Sequence, residues 1–225
     1  MTSLDGVVCL QGGNEFSPRC REMDALLVDG LAGPVVVTAL AGEIGSDYRR
    51  ATANGVRHYS GLTDLPVVGA PDVRTDPDEA LAVLRSARLI VLPGGSPGRL
   101  LAALTDTPVG SVLADLIDGG GRVMGSSAGA MVLGPWCVLP GRPVGVAVGL
   151  GLVPVVTIPH WDGSRAPWER AIGKQVPADV PVVGIPEESG LLVQQGVLTA
   201  VGQRSTRLVS AKRDLALSET WPAAR

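Results

Sequence analysis

Aromatic residues are scarce in this sequence, at 3% of the chain and with a single Phe. Val, Leu, Ala and Ile must therefore fill any core, a mix that suits buried parallel strands packed between helices. Cysteine and histidine are nearly as rare. Cys9, Cys20 and Cys137 are an odd number with no C-x-x-C spacing, and His58 and His160 are the only histidines among 225 residues. A disulfide framework or zinc cluster has almost no material to use, so no metal is expected and each thiol reads as a small buried hydrophobe. An excess of one charge is missing too. Nineteen Lys and Arg, scattered along the chain, face 22 Asp and Glu for a formal net charge of -3, which argues against a nucleic-acid partner. The most apolar later stretch, Val144 to Val156, is cut by Gly145, Gly149, Gly151 and Pro154 and is too short to span a bilayer. Residues 1–10 lack a basic start, a long apolar stretch and a small-residue cleavage site, so no signal peptide is read. The expectation is a cytoplasmic protein with no membrane partner.

What is present suits one α/β domain over residues 1–225. Hydrophobic residues make up 45% of the chain, ample for a sizeable core, and no linker interrupts it. Short apolar runs at Gly6–Leu10, Pro34–Leu40, Pro66–Gly69, Arg88–Leu92 and Arg122–Met124 lack in-out alternation and read as strands buried on both faces. Helix-start chemistry lies between them, most clearly in Asp76-Pro77-Asp78-Glu79, with a capping side chain followed by Pro at the first helical position. Thr107-Pro108 opens another helix, which stops at Asp118-Gly119-Gly120-Gly121. Strand, helix, strand in repetition predicts right-handed crossovers and a mostly parallel sheet with helices on both faces. The last third is richer in strands: Val153–Ile158, a helix over Pro167–Val176, then Pro181–Ile185, Leu191–Gln194 and Val197–Val201, with a hairpin turn at Gln194-Gln195-Gly196. Residues 216–225 read as a loosely held tail.

Chemistry concentrates at the carboxyl ends of these strands. Gly125-Ser126-Ser127-Ala128-Gly129 is G-x-S-x-G between a strand and a helix, where a tight strained turn exposes the Ser127 hydroxyl. Such a hydroxyl needs a base, and imidazole is the usual one. His160 follows the strand Val153–Ile158, whereas His58 sits among polar and turn residues and reads as a surface histidine. An oxyanion needs preorganised donors. The glycine turn Pro93-Gly94-Gly95-Ser96-Pro97-Gly98 offers the Gly95 N–H, to which the Ala128 N–H adds a second. Glu187 follows the strand Pro181–Ile185 and is the candidate to orient the imidazole, with Asp162 as competitor. Glu188, pointing the other way, is expected to be solvated. The order Ser, His, Glu departs from the Ser, acid, His order of common α/β-hydrolases.

These residues carry a resemblance to peptidase family S51, the family of aspartyl dipeptidase (dipeptidase E) and cyanophycinase. It rests on L-P-G-G-S-P-G at Leu92–Gly98, G-S-S-A-G-A at Gly125–Ala130, I-P-H-W at Ile158–Trp161 and G-I-P-E at Gly184–Glu187. The resemblance implies a class I glutamine amidotransferase-like, flavodoxin-like three-layer fold with serine at the elbow. Carried over by position, it implies Ser127 as nucleophile, His160 as base, Glu187 as orienting acid and Gly95 and Ala128 as oxyanion donors. Ser96, Trp161, Arg165 and Arg170 are the substrate-contact candidates. The two arginines are approximate counterparts of one that helps bind an aspartyl side chain in dipeptidase E, and the interval between His160 and Glu187 is shorter here. The expected function is a serine peptidase or amidase acting on a small peptide or amide, without cofactor, with a homodimer as one assembly. A binding domain without turnover and a serine esterase are the alternatives.

Overall fold

The computed structural model describes residues 6–222. The chain begins with β1 (Val7–Gln11), α1 (Arg21–Ala25) and β2 (Val35–Val37), followed by α2 (Ser46–Ser60), β3 (Val67–Gly69) and α3 (Pro77–Arg85). It continues through β4 (Leu89–Leu92), α4 (Pro97–Thr105), α5 (Val109–Asp118), β5 (Arg122–Ser126) and α6 (Ala128–Leu133). Apolar stripes decide the helices: Ala80, Leu81 and Leu84 are buried on α3, and Val109, Val112, Leu113 and Ile117 on α5. Asp76 takes the cap position of α3 as expected, but its side chain makes no capping bond.

After α6 come β6 (Trp136–Leu139), β7 (Gly145–Val148), β8 (Val156–Pro159), α7 (Ala166–Gln175) and β9 (Val182–Ile185). The chain then turns to strands alone: β10 (Ser189–Gln194), β11 (Val197–Gly202), β12 (Thr206–Leu208), β13 (Arg213–Leu215) and β14 (Thr220–Pro222). The principal sheet has the order β14-β11-β10-β1-β5-β4-β2-β3. From β1 to β3 all neighbours are parallel, which is the predicted α/β, flavodoxin-like arrangement. β10, β11 and β14 extend it antiparallel, with the β10–β11 hairpin turning at the expected residues. Nearly every residue of β1, β2, β4 and β5 is buried, whereas β3, at the edge, exposes Val68 and Gly69.

β8 and β9 pair parallel with each other but belong to a second sheet, β13-β12-β9-β8. β6 and β7 form a separate hairpin that the sequence reading passes over, because Gly and Pro interrupt it. The C-terminal reading needs correction. Far from hanging loose, Thr220–Pro222 pair with Val197–Thr199, and Leu217 bridges Ala200. Arg213 ties this end down through Glu219 and lies 4.9 Å over the Trp221 ring, a cation–π contact. Residues 223–225 of that tail, and residues 1–5 of the segment read for a signal peptide, lie outside the described residues. Among the described residues no single helix is long and apolar enough to cross a membrane.

Candidate active site

The site begins where β5 ends. Strand geometry stops at Ser126 and α6 starts at Ala128, so Ser127 alone makes the turn, with φ 49° and ψ −106°. A non-glycine residue in that region is strained by roughly 1–3 kcal/mol, a cost met by the surrounding packing. The two glycines of the motif permit it. A Cβ on Gly125 would collide with the backbone of Gly129, and one on Gly129 would collide with the Leu92 carbonyl. G-x-S-x-G is thus first a packing rule, and the half-buried Ser127 hydroxyl at the turn is its consequence. Ser127 N–H donates to Gln11 O at 2.9 Å, which fastens the turn to the end of β1.

His160 sits in the loop after β8, itself at φ 51°. Its Nε2 lies 2.8 Å from Ser127 Oγ, and its Nδ1 lies 2.9 Å from Glu187 Oε1. Serine, histidine and glutamate therefore form one hydrogen-bonded chain across the gap between the two sheets, Ser127 on the principal sheet and the other two on loops leaving β8 and β9. Asp162 is exposed, and its nearest charge is Arg165, 4.0 Å away. Glu188 departs from expectation. At φ 58° its carboxylate is 17% exposed and accepts from Asn14 Nδ2 at 2.9 Å and Ser17 Oγ at 3.1 Å, with Arg19 at 3.4 Å. It ties the loop after β1 to the loop after β9.

The glycine turn after β4 also reaches this site. Gly95 is exposed with φ 144°, next to Gly94, whose Cβ position would lie 3.1 Å from Ser127 Cβ. Among the described residues neither Gly95 N–H nor Ala128 N–H is used by another backbone hydrogen bond. Ala128 is the first residue of α6, where helix geometry leaves the N–H without a partner of its own.

The four substrate-contact candidates fare differently. Ser96 caps α4, its hydroxyl accepting from Arg99 N–H at 3.3 Å. Trp161 packs into the core: it is 9% exposed, its indole lies on Gly184, and its backbone N–H donates to Ile185 O, tying the β8 and β9 loops together. Arg165 turns its guanidinium inward, with Nε 3.2 Å from His160 O and Nη2 on the same oxygen. Two of its donors are thereby committed to the loop that carries His160. Arg170 is exposed on α7.

Three features escaped the sequence reading. His58 is no surface residue: it lies inside α2, buried, with Nε2 2.7 Å from the fully buried Asp24, which also receives the Gln11 side-chain amide. The loop Gly12-Gly13-Asn14-Glu15 runs through the site. Gly13 faces the His160 ring so closely that any Cβ would overlap it, while His160 N–H donates to Gly12 O and Glu188 N–H to Gly13 O. Glu15 reaches across to the other side, accepting from Gly94 N–H at 2.8 Å and from Ser126 Oγ at 2.9 Å. Its sequence signal was a glycine pair following a buried parallel strand, at the sheet end where such sites gather.

The thiols offer no rival nucleophile. All three are buried; burial pushes the Cys137 thiol up to about 12, and also raises those of Cys9 and Cys20. Among the described residues no group of three or more His, Cys, Asp or Glu could hold a metal ion.

The chain is similar to several known proteins. Cyanophycinase from Synechococcus elongatus is 27% identical over 224 residues, 92% of this chain and 69% of that protein. Cyanophycinase from Trichormus variabilis is 30% identical over 139 residues, covering 57% of this chain and 47% of that protein. Among solved structures, a peptidase from an acI-B1 Actinobacterium superposes with TM-score 0.81 at 22% identity, covering 96% of both chains. A putative peptidase E protein from Listeria monocytogenes gives 0.65 at 18%, covering 88% of this chain and 98% of that one. These two share the fold. A family model described as peptidase family S51 matches residues 56–201, a span that contains the glycine turn, the elbow, His160 and Glu187. This chain belongs to peptidase family S51 and is a serine hydrolase of the dipeptidase E or cyanophycinase type.

Proposed function

We propose that the protein hydrolyses a small peptide or amide bond through an acyl-enzyme on Ser127. The observation that carries this reading is the unbroken chain from Ser127 Oγ through His160 to Glu187, mounted on a positive-φ turn. His160 Nε2 takes the Ser127 proton as Oγ attacks the carbonyl carbon, and returns it to the departing amine as the C–N bond breaks. Water then repeats the cycle on the ester. Glu187 accepts the Nδ1 hydrogen, which keeps Nε2 free to act as acceptor and offsets the imidazolium charge. Gly95 and Ala128 N–H groups take the oxyanion, being near the nucleophile and free of other backbone partners.

Covalent labelling tests the reading. Protein treated with a fluorophosphonate should gain one adduct, mapped to Ser127 by peptide mass spectrometry. An adduct on Ser126 or no adduct at all would overturn it. Matched amide and ester substrates with a common acyl group then separate a peptidase from an esterase: turnover of the ester alone would reject the amide reading.

A further inference from the structure

Four residues after β1 ends, a carboxylate sits against the site with no part in the Ser-His-Glu chain. Glu15 Oε1 accepts the Gly94 N–H at 2.8 Å, and Glu15 Oε2 accepts the Ser126 hydroxyl at 2.9 Å. These are the residues immediately before Gly95 and Ser127. One side chain therefore bridges the two backbone segments that would present the oxyanion donor and the nucleophile, although those segments leave different strands, β4 and β5. The spacing between them is critical, since a displacement of about 1 Å in a reacting group can cost on the order of 100-fold in rate.

We infer that Glu15 is a positioning residue: its carboxylate clamps the Gly94–Gly95 turn to the Ser126–Ser127 elbow and so sets the oxyanion donor against the nucleophile. Three observations carry this. First, each oxygen takes one donor, Oε1 from the Gly94 segment and Oε2 from the Ser126 segment, and hydrogen bonds to an ionised carboxylate are roughly twice as strong as neutral ones. Second, the loop that brings Glu15 is itself held. Asn14 and Phe16, on either side, have φ of 55° and 65°, and Asn14 is bonded to Glu188, while Gly12 and Gly13 carbonyls receive the His160 and Glu188 N–H groups. Third, a negative charge so close to a developing oxyanion opposes catalysis by Coulomb repulsion. A carboxylate placed there for direct charge stabilisation is thus the wrong sign, whereas one that acts through geometry is tolerated because both oxygens are engaged by donors.

The inference rests on Ser127 being the nucleophile, and the experiment separates the two. Wild-type protein, Glu15→Gln, Glu15→Ala, Ser126→Ala and Glu15→Ala/Ser126→Ala are compared for steady-state kinetics, fluorophosphonate labelling rate and melting temperature. Failure of wild-type Ser127 to label removes the catalytic reading itself. Given labelling, Glu15→Ala should lose about 30–300-fold in kcat, at or below the roughly 10²–10³-fold that follows loss of one oxyanion donor, with KM changed by less than about 3-fold. The labelling rate should fall in parallel. Glu15→Gln, which can still accept from Gly94 N–H and donate to Ser126 Oγ, should recover at least about 10-fold of that loss. Ser126→Ala should cost about 3–10-fold, and the double variant should lose much less than the product of the two single losses.

A labelling rate and kcat equal to wild type in Glu15→Ala overturns the inference. So does a loss confined to melting temperature, which would make Glu15 structural. A third outcome also overturns it: unchanged kcat with KM raised equally by Gln and Ala, on substrates with a free amino terminus but not on N-acylated ones, would make Glu15 an amine-binding group. If Glu15→Ala fails to fold, Glu15→Gln and Ser126→Ala decide alone. Kinetics equal to wild type in both would reject the clamp.

Discussion

The protein contains two histidine–carboxylate pairs of nearly the same length. His160 Nδ1 and Glu187 Oε1 are 2.9 Å apart, and His58 Nε2 and Asp24 Oδ2 are 2.7 Å apart. By distance alone the second is the better bond. What separates them is access: the side chains of the first pair are 39% and 51% exposed, those of the second 6% and 0%. They also differ in the imidazole's surroundings. His160 has a serine hydroxyl on its remaining nitrogen, while His58 packs tilted against Phe16 and edge-on to Tyr59. A short hydrogen bond to a carboxylate therefore does not by itself set the two histidines apart; access to the ring and a hydroxyl at its far nitrogen do.

The sharpest way to break this comparison is to remove the nucleophile. Ser127→Ala should lower kcat by about 10⁴-fold or more while leaving the melting temperature nearly unchanged. A residual rate within 10-fold of wild type would put the chemistry elsewhere. Next, Glu187→Gln should cost on the order of 10²–10⁴-fold in kcat, because the imidazole loses the partner that holds its tautomer. Asp24→Asn, the matching change in the buried pair, should leave kcat per folded molecule within about 3-fold, measured against active-site titration. Should the Asp24 change cost as much activity as the Glu187 change, the two pairs would not be functionally distinct.

His58→Ala attacks the buried pair in the other currency, stability. It leaves Asp24 in the core with the Gln11 amide as its remaining side-chain partner and should destabilise the fold by about 1–3 kcal/mol in urea titration, as leaving a buried polar group short of a hydrogen-bond partner does. His160→Ala should change stability by less than about 1 kcal/mol, since its pair is open to water. A milder effect concerns alkali. Burial pushes the Cys137 thiol up to about 12 from an ordinary value of 9.0. A folded value above the unfolded one means that the stability contribution is complete below pH 9 and is lost as pH climbs towards 12. In Cys137→Ala the decline of unfolding free energy over that window should flatten by up to about 1.4 kcal/mol per pH unit; an unchanged slope would show that the thiol titrates freely. The smallest effects fall on the arginines. Arg165→Met, which frees the His160 carbonyl, should lower kcat by about 10-fold, whereas Arg170→Met should stay within twofold. The reverse order, with the Arg170 change acting on KM for acidic substrates, would make the exposed arginine the substrate contact.

The same contrast explains what could be read without coordinates. Ser127, His160 and Glu187 were legible because each follows an apolar strand directly, so local pattern fixes which end of the sheet it occupies. His58 was not. α2 carries only a few apolar residues among its charges, and its buried face is made of Tyr48, Thr52, Gly55, His58 and Tyr59, residues that individually read as polar or turn-forming. Its partner Asp24 is 34 residues away, and no sequence pattern announces such a pairing. Glu15 was hidden for a related reason, since its meaning depends on β1 and β4 both lying beside β5. The placement of β8 and β9 in their own sheet is likewise a matter of strand order, which periodicity does not encode. The tail failed for a different cause: three residues suffice to finish an edge, too few to show a period.

That division between sheets gives the site a property beyond its chemistry. Ser127 is carried by one sheet, His160 and Glu187 by loops at the end of the other, so the 2.8 Å bond between serine and histidine is a gauge of how the two sheets are seated. Secondary structure within each sheet is insensitive to a slip of an ångström at their junction, but proton transfer is not. On warming, turnover and serine labelling should therefore fail several degrees before the circular dichroism of the strands changes, and a ligand that spans Ser127 and the His160 loop should raise the temperature of the first transition more than that of the second.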